Sequence, residues 1–234
     1  MSDVLFLTLK DSPWAHYHDN IIPHLKLPHK HIYNWNFDEI MFHKPSIVVS
    51  VHSLGPLETT LIPRLKEVGI ATLLLQEGAT EWIMNWENPR LPLQVPPRHR
   101  PVLYDKIGVF GPLYKRIDES WGNLGKCEMV GSPRWDNLKV SEREPREGRK
   151  FRLMLASARV VGYDESTINK VIRGFKDLSD YLKDRSDIEV FWRVGESIEK
   201  ALDLKNNNAQ LEGLTVGEAL SKVDTVICTP SSFL

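Results

Sequence analysis

Little in this chain is in excess, and each shortage removes a class of function. Only two of its 234 residues are cysteine, too few for a disulfide scaffold. Cys127 and Cys228 each sit in an apolar, strand-like run, so the expectation is two buried free thiols in a reducing compartment. Basic charge is not in surplus: 30 Lys and Arg face 31 Asp and Glu, leaving a net charge of −1. A nucleic-acid backbone would find no basic excess to neutralise it. No apolar run approaches the length of a membrane span. The segment Met1 to Leu7 enters a strand pattern without a basic stretch or a cleavage site, which sets a cytoplasmic location as the expectation. No Gly-rich Walker loop occurs, so ATP-driven phosphoryl transfer is not expected. Internal repeats and low-complexity tracts are also missing.

What remains is ordinary in amount and informative in order. Short apolar runs alternate with helical spacing. Strands are expected at Val4 to Leu9, Ile32 to Trp35, Ser46 to Val51, Ala71 to Leu75, Lys106 to Phe110 and Cys127 to Val130. Their β-branched and aliphatic content suits strands buried on both faces. Leu57 to Val68 has helical spacing, with Pro63 implying a kink and Gly69 a stop. Leu113 to Leu124 is a second helix, ended by Gly125. A charged stretch with Pro and Gly, Ser141 to Lys150, reads as a linker. The pattern then restarts: a strand at Phe151 to Ala156, an amphipathic helix at Ser166 to Lys183, a strand at Glu189 to Trp192, a short helix at Val216 to Ser221 and a strand at Thr225 to Cys228. Strand–helix alternation on both sides of a linker predicts an α/β chain of two Rossmann-like parallel-sheet halves, residues 1–140 and 151–234. With three strands, the second half looks incomplete.

In such folds ligands gather at the carboxyl ends of the strands, and four candidates lie there. Gln76-Glu77-Gly78 follows the strand ending at Leu75. A carboxylate in that position, beside a glycine that lets substrate approach, suits a general base; a turn or capping acid is the plain alternative. Gly131 to Asp136 follows Val130, and Arg134 either faces the cleft or pairs with Asp136. Ser157-Ala158-Arg159 offers a hydroxyl and a guanidinium to a phosphate, or else Arg159 is an ordinary surface charge. Ser231 and Ser232 stand where a helix would begin, and free N–H groups there favour a phosphate; serine is also a common plain cap. Trp82 and Trp86, four apart, either stack on a sugar acceptor or pack as core or lid anchors. The Pro-rich loop from Asn88 to Pro101 is long for a simple connection. His16, His18, His24, His29, His31 and His43 crowd the first segment. His16 and His18 would not share a helical face, and a metal needs ligands that converge on one point, usually with carboxylate or Cys company, so no metal site is expected.

Taken in order, the runs Gly69 to Gly78, Ile107 to Gly111, Met129 to Asp136, Ala219 to Ile227 and Ser231-Ser232 resemble the GT-B glycosyltransferases of bacterial surface polysaccharides. Capsule sialyltransferases, Kdo transferases and CDP-glycerol glycerophosphotransferases share this layout. The resemblance spans residues 65 to 234. It implies a glycosyl transferase with an acceptor-side first half and a nucleotide-donor second half. Glu77 matches the second acid of an acid–acid–Gly motif and would be the base; Gln76 replaces the first acid. Gly78, Trp82, Trp86 and Arg134 would line the acceptor cleft. Ser231 and Ser232 match paired hydroxyls that hold the donor phosphate, with Ser157, Arg159 and Arg193 as further phosphate contacts. The family shows a basic residue followed by His-Pro after this strand, whereas this chain reads Arg193-Val194-Gly195-Glu196, so the donor-contacting His is missing.

The substrates implied are a nucleotide-sugar and a carbohydrate acceptor, with no metal and no other cofactor. Two alternatives stay open. One keeps the fold and changes the reaction, to a glycerophosphotransferase or a sugar-nucleotide epimerase. The other is a non-catalytic truncated binding module. Because a helix expected at Phe233 has only two residues, the chain is read either as a fragment of a longer enzyme or as one that lost its catalytic half. An oligomer or a completing chain is the partner this reading calls for.

Overall fold

The computed structural model describes residues 3–10, 17–53, 57–79, 100–136, 147–158, 164–204, 211 and 213–229. Two compact units divide the chain, Met1–Asn137 and Leu138–Leu234.

The first unit is built on a six-stranded, wholly parallel sheet. Its strands are β1 (Val4–Leu7), β2 (His29–Ile32), β3 (Ile47–Ser50), β4 (Ala71–Leu75), β5 (Lys106–Val109) and β6 (Cys127–Met129). The spatial order is β2-β1-β3-β4-β5-β6. In register, Leu7 lies opposite Ile32 on one side and Ser50 on the other. The chain therefore reverses its direction of winding at β1, the topological switch point where open α/β sheets place their ligands.

Burial explains which strands the apolar pattern marks correctly. β1 is buried at every position, as a central parallel strand should be. β2 is different: His29-Lys30-His31-Ile32 has only its last residue buried. It is an edge strand with one open side, so polar residues are tolerated. That is why an apolar criterion places the strand at Ile32 to Trp35, three residues too late.

Among the described residues, α-helices cover one face and a segment of short turns the other. α1 (Phe37–His43) starts at Asn36, whose side chain accepts the Glu39 N–H at 3.1 Å, and ends at Lys44 in the left-handed region, φ 46°. The helical span before β4 is composite. A wide π-type turn, Leu57–Leu61, leads into α2 (Ile62–Glu67), with Pro63 in the first turn of α2. Proline has no N–H to donate, so opening the turn ahead of it keeps the span continuous where a regular helix would break. α3 (Pro112–Asp118) runs into a second wide turn, Glu119–Asn123, where Gly122 takes φ 95°. One core packs Leu5, Leu7, Val48, Leu74, Ile107 and Val109 against Ile40, Leu57, Ile62 and Leu65. The opposite face buries Val4, Phe6, Val49, Val51 and Leu75 under the segment carrying Tyr17, Ile21, Ile22 and Leu25.

The second unit has a three-stranded parallel sheet of β7 (Phe151–Ala156), β8 (Ile188–Arg193) and β9 (Thr225–Cys228), in the order β8-β7-β9. Alternate residues of β7 serve two cores. Leu153 and Leu155 pack with α4 (Glu165–Leu182) through Phe175 and Leu182. Met154 and Ala156 pack with α6 (Val216–Ser221) through Ala219. Each side chain thus faces a helical layer, the signature of a doubly wound sheet. The apolar stripe on α4, Ile168 to Leu182, faces its core as the spacing predicts. A further helix, α5 (Glu196–Leu202), was not visible as an apolar pattern. At the other end of the sheet, Arg149 grips Asp224 with two bonds of 2.8 Å, and the same carboxylate accepts the Arg152 N–H. This bidentate pair fixes the chain at the entrances to β7 and β9.

Both cysteines are free, Cys127 buried and Cys228 half-buried. Burial pushes the Cys127 thiol up to about 11, so it is protonated and inert at neutral pH. Among the described residues, no helix is long and apolar enough to cross a membrane.

Candidate functional site

At the carboxyl ends of the first sheet, the turn after β4 is the most tightly held feature. Gln76 is 3% exposed. Its side-chain Oε1 accepts the Phe110 N–H at 2.9 Å, and its Nε2 donates to the Gly78 carbonyl at 2.8 Å. The Gln76 N–H continues the ladder to the Gly108 carbonyl, and the Tyr17 hydroxyl donates to the Gln76 carbonyl. Glu77 and Gly78 are half-buried in the middle of this bracket. The backbone around Glu77 is therefore tied to β5, to its own loop and to the turn Tyr17–Asn20.

This arrangement explains why an amide stands at Gln76. One end must accept an N–H and the other must donate to a carbonyl. A carboxylate can do only the first. Gln76→Glu is expected to set two oxygens against each other and to cost about 1–3 kcal/mol of stability at neutral pH. The deficit should shrink in acid, where a protonated carboxyl can again donate to Gly78. Urea unfolding at two pH values measures both; an unchanged midpoint at pH 7 would remove Gln76 from this role.

The turn after β6 lies beside it. Gly131 adopts φ 74°, a conformation that excludes a Cβ at little cost only for glycine. Ser132 leads into the short turn Pro133–Trp135, which contains Arg134 and packs against the turn Tyr17–Asn20.

Sequence reasoning missed the histidines as a group. His18, His31 and His52 come together at the switch point, while His24 and His43 do not join them. The His18 ring lies 4.7 Å from Phe6 and 5.4 Å from His31. The Thr8 hydroxyl bonds His31 Nε2 at 2.8 Å. Burial, then the neighbouring His31 and His52, lower the His18 pKa to about 3, so the ring is neutral at physiological pH. Their spacing in sequence carries no signal; parallel pairing of β1, β2 and β3 assembles them. Among the described residues, no group of three or more His, Cys, Asp or Glu side chains is arranged to hold a metal ion.

In the second unit the ends of β7, β8 and β9 are laced to one another. The Ser157 hydroxyl accepts the Gly195 N–H at 2.8 Å and donates to the Ala158 carbonyl at 2.9 Å. The Ala158 N–H donates to Thr229 Oγ1 at 2.8 Å. Arg193 Nη1 donates to the Leu214 carbonyl at 3.1 Å. Ser157 and Arg193 are thus at the rim, with polar atoms engaged in shaping it. The first turns of α4, α5 and α6 each carry a carboxylate: Glu165, Glu196 with Glu199, and Glu218. These acids already offset the positive helix ends, which disfavours a phosphate there. Arg159, Ser231, Ser232, Trp82 and Trp86 lie outside the described residues, as does the Arg134 side chain.

Comparison with known proteins is confined to shape. No family model matches the chain, and no curated protein matches it. Among solved structures, the wall teichoic acid polymerase TagF, H444N variant, superposes with a TM-score of 0.53 at 15% identity. The match covers 99% of this chain and 66% of that one. The fold is GT-B-like. A second structure, MurG of Acinetobacter baumannii, has a TM-score of 0.49 at 10% identity, covering 97% of this chain and 71% of that one. The two-sheet parallel GT-B-like arrangement, with its smaller second unit, agrees with the fold class expected from the strand–helix alternation.

Proposed function

We propose that the chain forms the acceptor side and part of the donor side of a glycosyltransferase that moves a sugar from a nucleotide-activated donor to a carbohydrate acceptor in the cytoplasm. The observation that carries this reading is the turn at Glu77. Glu77 follows a central parallel strand, on a backbone held by the bonds of Gln76 and Tyr17. Such rigidity is what a general base needs to meet one hydroxyl in one geometry. The resemblance of the motifs around Glu77 to surface-polysaccharide transferases, together with the GT-B-like fold, supports the same chemistry.

In this mechanism the acceptor oxygen attacks the anomeric carbon as its proton passes to Glu77. The bond from that carbon to the nucleotide phosphate breaks, and the phosphate leaves with the electron pair. Positive charge in the second unit stabilises the departing phosphate; Arg193, Arg159 and the hydroxyls of Ser231 and Ser232 are assigned that task. Gly78, Trp82, Trp86 and Arg134 are assigned to the acceptor. No metal or other cofactor takes part.

The experiment is product analysis with CMP-, CDP- and UDP-activated donors and a panel of carbohydrate acceptors. Formation of a glycoside with release of the nucleotide supports the reading; hydrolysis alone, or no turnover with any donor, goes against it. Transfer of a glycerol phosphate from CDP-glycerol, the reaction the sequence leaves open, would instead give a phosphodiester product with CMP release.

A further inference from the structure

At the amino ends of the first sheet, lysines are placed in two different ways. Toward β5 and β6 they have acids: Lys66 meets Asp105 at 2.9 Å, and Lys106 meets Glu128 at 2.8 Å. At the β2–β3 corner they do not. Lys26 precedes β2, Lys30 lies within it and Lys44 precedes β3. Parallel pairing brings these three to one corner, because Val4 stands opposite both His29 and Ile47. Among the described residues, none of the three joins a carboxylate. Lys30 Nζ instead donates to His43 Nε2 at 2.9 Å. The sequence from Asn20 to Phe37 holds no acidic residue. The nearest carboxylates along the chain are Asp3, before β1, and Asp38 and Glu39, in the first turn of α1 and so at the other end of that helix from His43; Glu39 accepts a bond from Asn34.

The same corner exposes apolar side chains. Phe42, next to last in α1, is 81% exposed, and its ring centre lies 5.3 Å from that of His43. Leu27 is 52% exposed beside Lys26, and its carbonyl bonds His29 Nδ1 at 3.0 Å. His43 thus joins Phe42 to Lys30, and the strand joins Lys30 to His29 and Leu27. One exposed apolar side chain needs no explanation. Two of them, set among three lysines that no acid neutralises, have the make-up of a surface that meets lipid headgroups.

We infer that this corner, Phe42 and Leu27 with Lys26, Lys30 and Lys44, is a docking surface for an anionic membrane. The lysine ammonium groups reach lipid phosphates while their stems lie along apolar surface. Phe42 and Leu27 enter the headgroup boundary. Charge decides the occupant. A second copy docked through the same corner would set its lysines against their equivalents. Strand addition to the open edge of β2 is opposed by Lys30 and by Pro28, which has no N–H to give. The corner lies at the opposite end of the strands from Glu77, so the inference stands apart from the catalytic reading.

The test is flotation of the 234-residue chain with vesicles of phosphatidylcholine alone or mixed with phosphatidylglycerol. Expected is binding to the mixed vesicles only, lost as salt is raised. A lysine near an anionic surface is worth about fivefold, so Lys26→Gln, Lys30→Gln and Lys44→Gln combined should weaken binding about a hundredfold. Phe42→Ser alone should weaken it measurably. Lys170→Gln, Lys176→Gln and Lys200→Gln combined remove the same charge from α4 and α5 and should change nothing. The altered side chains are exposed, so the thermal midpoints should stay near that of the wild type. Equal binding to neutral and anionic vesicles, no binding to either, or unchanged affinity in the Lys26, Lys30 and Lys44 variant would each overturn the proposal. So would a dimer in sedimentation that Phe42→Ser dissociates, the mark of a second copy. Binding to soluble polyglutamate as tight as to the vesicles would overturn it too, in favour of an acidic protein partner.

Discussion

Glu77→Gln should lower glycosyl transfer by about two to four powers of ten, the usual worth of a positioned general base, while nucleotide affinity changes little. The substitution keeps the shape and removes the proton acceptor. The turn should survive the change, because Gln76 and Tyr17 tie its backbone to Phe110 and Gly78. The loss should appear in kcat more than in KM, since the interaction is made as the hydroxyl loses its proton. Steady-state kinetics with the donor identified in the panel, alongside nucleotide titration of both proteins, gives the two numbers. Near wild-type turnover in Glu77→Gln would exclude a base at this position. Tyr17→Phe provides the complementary case. It leaves the carboxylate in place and frees the turn, so a smaller loss in kcat is expected.

How much of this was legible in the residues follows from what each signal reports. Central strands were readable because burial on both faces favours an apolar run: Ala71 to Leu75 and Phe151 to Ala156 match β4 and β7 to the residue, and the apolar run Thr225 to Cys228 matches the edge strand β9 as well. The edge strand β2 was displaced because half of its surface is open and tolerates His29, Lys30 and His31. The short helices α1 and α5 were missed for another reason. Seven residues give barely two turns of periodicity, and their boundaries are set by Asn36 and Lys44, or by Gly195 and Asp203. At the site, Glu77 stood out because it ends a strong strand. Gln76 looked like a lost acid, since the need for a donor toward Gly78 appears only once the loop is folded. The His18, His31 and His52 cluster had no local signature at all. Its members are brought together by the order β2-β1-β3, which is a property of the sheet and not of any window of sequence.

That cluster carries the second large expectation, a loss of stability in mild acid that one substitution removes. In the folded chain His18 resists protonation down to about pH 3, first because it is buried and then because His31 and His52 stand near. In the unfolded chain it takes a proton near pH 6.5, its ordinary value. At pH 7 both states hold the neutral ring and nothing is gained or lost. Between about 6.5 and 3 the unfolded state binds a proton that the folded state refuses, so stability falls as pH falls through that window. A displacement of this size corresponds to something on the order of 4 kcal/mol at the acid end, a large share of the roughly 5–15 kcal/mol typical of a folded protein. Carboxylates contribute in the same direction; Asp105, bonded to Lys66 and Thr72, is also held below its usual value. The decisive quantity is therefore the difference between wild type and His18→Phe. Denaturant unfolding of both proteins at pH 7, 6, 5 and 4 should show His18→Phe already the more stable at pH 7, because two buried ring nitrogens with no hydrogen-bond partner among the described residues are gone. Its advantage should widen steadily toward pH 4. Parallel curves would mean that His18 is protonated as easily in the folded chain as in the unfolded one, and the ring would then be neither neutral nor sealed at the rim of the sheet.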